Sequence, residues 1–189
     1  MTVAHRFLKG TVAAFLLLVM ISGSGQAQEA DLTDESELLD ALSQADPAAA
    51  SRYDKQLRSL WSKSGSSSAD FLLKRGRDAM EANDYRAAIE HLTALTDHAP
   101  QFAEGWHARA SAYFAADLFG PAVADLERAL ALNPNHYEAM LGMGLILESV
   151  KRPEAAYKIY VQGLSIHPHH EQLTNAKNRL ASSIKGQSL

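Results

Sequence analysis

The chain has 189 residues, of which 47% are hydrophobic and 21% charged. That suits a single packed domain and argues against wholesale disorder. The absence of cysteine excludes disulfides, thiolate metal sites, a cysteine nucleophile and the lipid-modified cysteine of a bacterial lipoprotein. With 18 basic and 22 acidic side chains the formal net charge is −4, and no basic block stands outside the first residues, which disfavours nucleic acid and anionic membrane as partners.

The chain opens with a positive stretch at His5, Arg6 and Lys9, followed by the uncharged run 11–21. Ser22, Gly23, Ser24 and Gly25 break that run, and Gly25-Gln26-Ala27 has the small-x-small form of a cleavage junction. The pattern predicts a signal peptide over 1–27, cut before Gln28. The apolar run is about half the length that a membrane-spanning helix needs. Cleavage there takes away Arg6 and Lys9 and no acid, so the mature charge is 16 − 22 = −6. The expected location is outside the cytoplasm, periplasmic if the source is a Gram-negative bacterium. The mature chain is expected to be soluble rather than lipid-anchored, with no stable membrane insertion after cleavage.

Residues 28–68 are expected to form a helical hairpin and linker. Leu38, Leu39 and Leu42 have helical spacing within 34–45. Asp46-Pro47 has the form of an N-cap with proline at the first helical position. The second helix is predicted to reach about Lys63, with Tyr53, Leu57, Leu60 and Trp61 on one side. Ser64 to Ser68 with Gly65 reads as a loop. The hairpin caps the start of the following domain, forms a mobile arm, or folds back over Phe114, Leu141 and Leu145; the sequence leaves these open.

From residue 69 the chain repeats itself with a fixed period. Pro100, Pro134 and Pro168 are each 34 apart, as are Ala88, Ala122 and Ala156, and Gly76, Ala110 and Gly144. The units are 69–102, 103–136 and 137–170. The second carries Trp106, Ala110, Tyr113, Phe119, Ala122, Leu126, Ala129 and Pro134 at repeat positions 4, 8, 11, 17, 20, 24, 27 and 32. The first has Leu72, Gly76, Ala79, Tyr85, Ala88, Leu92, Leu95 and Pro100 at these positions, and the third Met140, Gly144, Leu147, Pro153, Ala156, Tyr160, Gly163 and Pro168. These residues resemble the tetratricopeptide repeat family. The resemblance implies an all-α fold: an α-solenoid of three helix-turn-helix repeats, each with a helix A and an antiparallel helix B.

The steric logic supports it. Small residues at positions 8 and 20 let two helices approach where a larger side chain would overpack, and the proline at 32 ends helix B. Two residues depart from the pattern. Leu95 is large at a usually small position, and Pro153 stands where an aromatic usually opens helix B. Residues 171–184, with Leu173, Ala176, Leu180 and Ile184 on one side, are expected to cap the open end of the repeat domain, 69–184. Residues 185–189 are expected to be a disordered tail.

In the family, positions 2, 5, 9 and 12 of the A helices face a concave groove. The resemblance thus assigns a partner-binding wall to Asp70, Leu73, Arg77 and Met80; Glu104, His107, Ser111 and Phe114; and Glu138, Leu141, Leu145 and Glu148. The lysine and asparagine clamp of members that bind chaperone tails is absent. Four acids in the wall predict a protein or peptide with apolar anchors and basic residues rather than one ending in a carboxylate. Some small exported repeat proteins of this kind are linked to the cell envelope, and Trp61 to Gly65 with Leu72 to Gly76 resemble their sequences. Catalytic residues, cofactors and a resident metal are not expected, because no phosphate loop, metalloprotease helix or nucleophile elbow is present. His167, His169 and His170 are expected to form a solvated turn rather than a metal site. Glu104 and His107, at i and i+3, are expected to contact a peptide rather than act as an acid–base pair. Self-association of the repeats is one alternative role, and a histidine-based metal-binding protein or enzyme is the other.

Overall fold

The computed structural model describes residues 34–186, so residues 1–33, with the expected signal peptide, and residues 187–189 of the expected disordered tail lie outside the described residues. The described residues form nine helices and no strand, as an all-α solenoid requires. The hairpin is α1 (Glu35–Gln44) and α2 (Pro47–Trp61). Three A–B pairs follow: α3 (Ser67–Glu81) with α4 (Tyr85–His98), α5 (Ala103–Ala115) with α6 (Phe119–Leu132), and α7 (Tyr137–Ser149) with α8 (Pro153–Ile166). The chain continues into α9 (Glu171–Gly186). Starts at 85, 119 and 153, and at 103, 137 and 171, keep the repeat register. None of these helices is long and apolar enough to cross a membrane.

Local signals set the boundaries. Asp34 caps α1 by accepting from the N–H groups of Ser36 and Glu37, and Asp46 caps α2 by accepting from those of Ala48 and Ala49. Pro153 occupies the first turn of α8, where its missing N–H has no cost. Each A–B turn passes through one left-handed residue, at Asn83, Asp117 and Lys151, again one period apart. Asparagine and aspartate suit that conformation better than lysine.

From α3 onward each helix packs on the next, and α3 also touches α5, as α5 touches α7. Within a pair, the small residue at position 8 lies beneath the large residue at position 24. A Cβ at Gly76 would stand 3.0 Å from Cδ1 of Leu92, and one at Gly144 would stand 2.6 Å from Cζ of Tyr160. In the second repeat Ala110 and Leu126 share one buried cluster. The expected small-residue contact is thus present, with the large residue directly on it.

Between repeats, position 27 of one unit meets position 3 of the next. Leu95 packs on Gly105, with 3.2 Å from its Cδ2 to a Cβ placed there. Ala129 and Ala139 are buried in the same cluster. Gly163 receives Leu173, whose Cδ1 would stand 2.7 Å from an added Cβ. Large meets small, small meets small, and small meets large, so the space between units is filled each time. This explains the unusual Leu95: its volume is matched by the glycine at 105.

Candidate interaction site on the concave wall

The twelve predicted wall residues come from α3, α5 and α7, but they are not equally available. Leu73 is buried among Ala69, Ala88, Leu92, Ala108 and Ala112, so it belongs to the core and not to the wall. Met80 packs half-buried against the same cluster. Leu141 and Glu104 are each only 8% exposed. Arg77 and Ser111 are exposed, while Asp70, His107, Phe114, Glu138, Leu145 and Glu148 are half-buried.

The four acids do not form the free negative surface expected from the sequence, because each is held within the chain. Asp70 accepts from the backbone N–H and the hydroxyl of Ser64, at 2.8 and 2.6 Å, which fastens the α2–α3 loop. Glu104 is paired with Arg77 and accepts from Nε2 of His136 at 2.9 Å, with Nδ1 of His107 at 3.3 Å. Glu138 accepts from Arg58 at 2.9 Å and faces His170 at 3.6 Å. Glu148 accepts from the Tyr160 hydroxyl at 2.6 Å and from Arg179 at 2.8 Å. A basic partner therefore meets carboxylates that already have cations or donors.

Two of these arrangements are copies of each other. The step from Glu104 to His136 equals the step from Glu138 to His170, and the second pair lies one period after the first. In both, the histidine stands before the next A helix and its Nδ1 accepts a backbone N–H, from Ala139 at 3.3 Å and from Leu173 at 3.3 Å. Nε2 then carries the proton and points at the acid of the preceding A helix. Sequence reasoning missed both pairs, although the recurring glutamate-to-histidine spacing was there to be found.

Two of the three histidines at 167–170 are not solvated, which corrects the expectation for His167 and His170, while His169 is exposed as expected. His136, His167 and His170 are 1%, 5% and 8% exposed. They lie beneath the α1–α2 hairpin, which crosses the turns before α7 and α9. Tyr137 donates to Asp54 at 2.7 Å, His169 donates to the carbonyl of Ala45 at 3.0 Å, and Trp61 stacks on His136 with ring centres 5.0 Å apart. Trp61 also donates to Glu35 at 2.7 Å, tying the two ends of the hairpin together. The hairpin thus closes one rim of the concave face, at the N-terminal ends of the A helices.

Between the hairpin and the wall lies a polar cavity of about 600 Å³ lined by Arg58, Arg77, Glu104, His107, Ser111 and Glu138, and next to it an apolar one of about 180 Å³ lined from α5, α6 and α7. Phe114, Leu126, Leu141, Leu145 and Ile146 supply its apolar wall, with His107 and Glu138 at the edge. No residue of α1 or α2 lines it, so the hairpin does not cover Phe114 and Leu145 there.

Glu104, His107 and His136 place one ligand atom each within 4.8 Å of one another, a spacing that could hold a cation. The hydrogen bonds do not fit that use. A metal at Nε2 of His136 would force its proton onto Nδ1, which faces the N–H of Ala139. The carboxylate is also already neutralised by Arg77.

Burial opposes ionisation of Glu104, but His107 and His136 outweigh it and hold the carboxyl well below its usual range. Burial likewise opposes ionisation of Glu138, and His170 and Arg58 pull it down. Burial, with His107 nearby, lowers His136, and burial, with His170 nearby, lowers His167. All four shifts act in one direction. Above the ordinary histidine value of 6.5 the buried imidazoles are neutral in both the folded and the unfolded chain, and stability is fully present. Below it the unfolded chain takes up protons that the folded one resists, so stability falls; the carboxylates add a further loss below about 4.5. Urea midpoints are therefore expected to be flat above pH 7 and to drop between pH 6.5 and 5. His136→Gln with His167→Gln should flatten that drop, and an unchanged wild-type midpoint across this window would refute the assignment.

The tetratricopeptide repeat profile matches residues 73–120 and 108–168. The chain belongs to the tetratricopeptide repeat family. A TPR repeat-containing protein of Rhizobium etli is 28% identical over 141 residues, covering 75% of this chain and 69% of that protein. The human SGT1 homologue is 34% identical over 86 residues, covering 46% of this chain and 24% of its own length. Among solved structures, the first TPR of Spaghetti (RPAP3), bound to the HSP90 peptide SRMEEVD, superposes with a TM-score of 0.60 at 27% identity, over 62% of this chain and 94% of that one. The tetratricopeptide helices are α3 to α8, and the profile does not extend to the α1–α2 hairpin that closes their rim.

Proposed function

We propose that this protein is a non-catalytic scaffold whose concave tetratricopeptide face holds a segment of another protein. The carrying observation is the cavity between α5 and α7, with Phe114, Leu141 and Leu145 as its wall and Glu138 at its edge. Its volume, about 180 Å³, suits one or two apolar side chains. The related Spaghetti domain bound to a peptide supports this reading. The peptide in that structure, SRMEEVD, is rich in acids. Here Glu138 at the edge of the cavity is already paired with Arg58, so the apolar wall selects the segment, and what it takes is a segment with apolar anchors.

The signal-like segment 1–27 supports an exported, soluble location, and cell-envelope maintenance is the process we assign. N-terminal sequencing of the mature chain tests export, with Gln28 as the expected first residue. For the groove, Phe114→Glu with Leu145→Glu puts two charges into the cavity from half-buried positions. Crosslinking in native envelopes should yield a partner with the wild type and lose it with this variant. A partner set unchanged by the two substitutions would remove the cavity from the function.

A further inference from the structure

The acids of the concave wall are held by cations or donors of the chain, but those of α1 are not. Residues 28–51 carry seven acids and no basic residue. Among the described residues Asp34 and Glu35 meet no cation, and each keeps one oxygen unused. Asp34 takes the Ser36 and Glu37 donors on Oδ1 alone, and Glu35 takes the Trp61 indole N–H on Oε1 alone. Both residues line an open cleft of about 820 Å³ between the docked hairpin and the turns that lead into α5 and α7. Leu39, Leu60 and Trp61 form its apolar floor from the hairpin side, with Phe102 and Leu132 from the repeats. Lys63 is the one lysine or arginine in the lining, against Asp34 and Glu35, because Glu104 is taken up by Arg77 and His136. The cleft shares no lining residue with the apolar cavity between α5 and α7.

We propose that this cleft is a second docking site, taking a protein segment that sets lysine or arginine against Asp34 and Glu35 and apolar side chains on Leu39, Leu60, Trp61, Phe102 and Leu132. The site is complete with the hairpin in place and requires no movement of it. Its volume lies in the range of sites that enclose several side chains together, whereas the cavity between α5 and α7 takes one or two. Charge sets the sign of the partner. The two unused carboxylate oxygens attract a cation, and the rest of α1 adds Glu37 and Asp40 with no basic residue to offset them. An acidic segment meets the same field as repulsion. The apolar floor supplies what charge alone does not, a surface that gains from being covered. The basic partner expected of the four wall acids thus belongs to α1, where the carboxylates are still open.

The probe is a short blocked peptide that alternates lysine and leucine, titrated into the chain from Gln28 onward. Calorimetry reads its affinity, and the emission of Trp61, followed in a Trp106→Phe background, reads its place. The peptide should bind, shift the Trp61 emission, and weaken at least about tenfold as salt rises from about 0.05 to about 0.5 M. Asp34→Asn with Glu35→Gln should weaken it by at least about tenfold as well. Asparagine still caps α1 and glutamine still offers a carbonyl to the Trp61 N–H, so the double variant keeps the fold. Peptides with glutamate in place of lysine, or serine in place of leucine, should not bind. The proposal is overturned if either control peptide binds as well as the first, if the double variant binds like the wild type, or if Trp61 emission stays unchanged at saturation. Phe114→Glu with Leu145→Glu should leave the peptide bound. Its loss from that variant, with Asp34→Asn, Glu35→Gln unaffected, would put the basic segment in the concave cavity, ending this proposal and leaving the groove reading in place.

Discussion

Asp125→Ala is expected to destabilise the protein by about 2–4 kcal/mol, because it strands a largely covered guanidinium. Arg109 of α5 donates from Nε and Nη2 to the two oxygens of Asp125 on α6, at 2.7 and 2.9 Å. Its Nη1 reaches Thr96 of α4 at 2.7 Å, and the guanidinium lies 4.9 Å from the ring centre of Trp106. Asp125 is 4% exposed and Thr96 2%. The hydrogen bond to Asp125 is the main reason that Arg109 holds its proton more strongly than usual. With the carboxylate gone, the hydroxyls of Thr96 and of Thr93, the latter 3.3 Å from Nη1, cannot neutralise the charge left between three helices.

The repeat itself offers a control for this prediction. One period after Thr96, Arg109 and Asp125 stand Leu130, Met143 and Ile159, which pack in one apolar cluster. The same three-helix junction is therefore built once from charge and once from hydrocarbon. Thr96→Leu, Arg109→Met, Asp125→Ile should stay within about 1–2 kcal/mol of the wild type, since a whole buried ion pair can be exchanged for well-packed apolar groups. Urea unfolding of the single and triple variants checks both values. A triple variant as unstable as Asp125→Ala would mean that the polar junction cannot be replaced as a unit.

The repeat register was legible because it answers a local steric demand. A helix pair that must approach closely leaves the same small residue at the same place each time, as Gly76, Ala110 and Gly144 do. The caps at Asp34 and Asp46 were legible for a similar reason, since capping joins near neighbours in the chain. The wall was less legible. Family positions placed Leu73 and Glu104 in the groove, but whether such a residue is open depends on what packs over it. Leu73 lies under the next repeat, while Glu104 is covered by Arg77 from the preceding unit and by His107 and His136.

The hairpin was the least legible element. Its docking contacts join partners far apart in the chain, such as Arg58 with Glu138, Asp54 with Tyr137 and Ala45 with His169. No periodicity relates these polar contacts, whereas the apolar part of the docking, Leu38, Leu42 and Leu57 in one core with Tyr137, Leu141 and Leu173, follows the helical spacing of those leucines. The partly legible signal was charge arithmetic within the repeat. Position 2 keeps an acid in all three units, while position 9 offers arginine only in the first. An acid whose repeat cation is missing needs one from outside the repeat, and the chain before residue 69 contains it.

Gly144→Ala is expected to cost about 1–3 kcal/mol, although alanine is the better helix former. An added Cβ would stand 2.6 Å from Cζ and 2.8 Å from Cδ1 of Tyr160, inside the ring's contact distance. The ring cannot simply swing away. It is fully buried between α7 and the neighbouring cluster, and its hydroxyl is fixed on Glu148 at 2.6 Å. The second repeat solves the same crossing with Ala110 under Leu126. Gly144→Ala with Tyr160→Leu reproduces that pair, and Glu148 keeps Arg179 as its partner. The double variant should therefore recover part of the stability lost in Gly144→Ala, which a double-mutant cycle reads as a favourable coupling. Additive losses in the two single variants would show that the crossing is not governed by matched volumes at positions 8 and 24, and the steric basis of the repeat would fail at its tightest point.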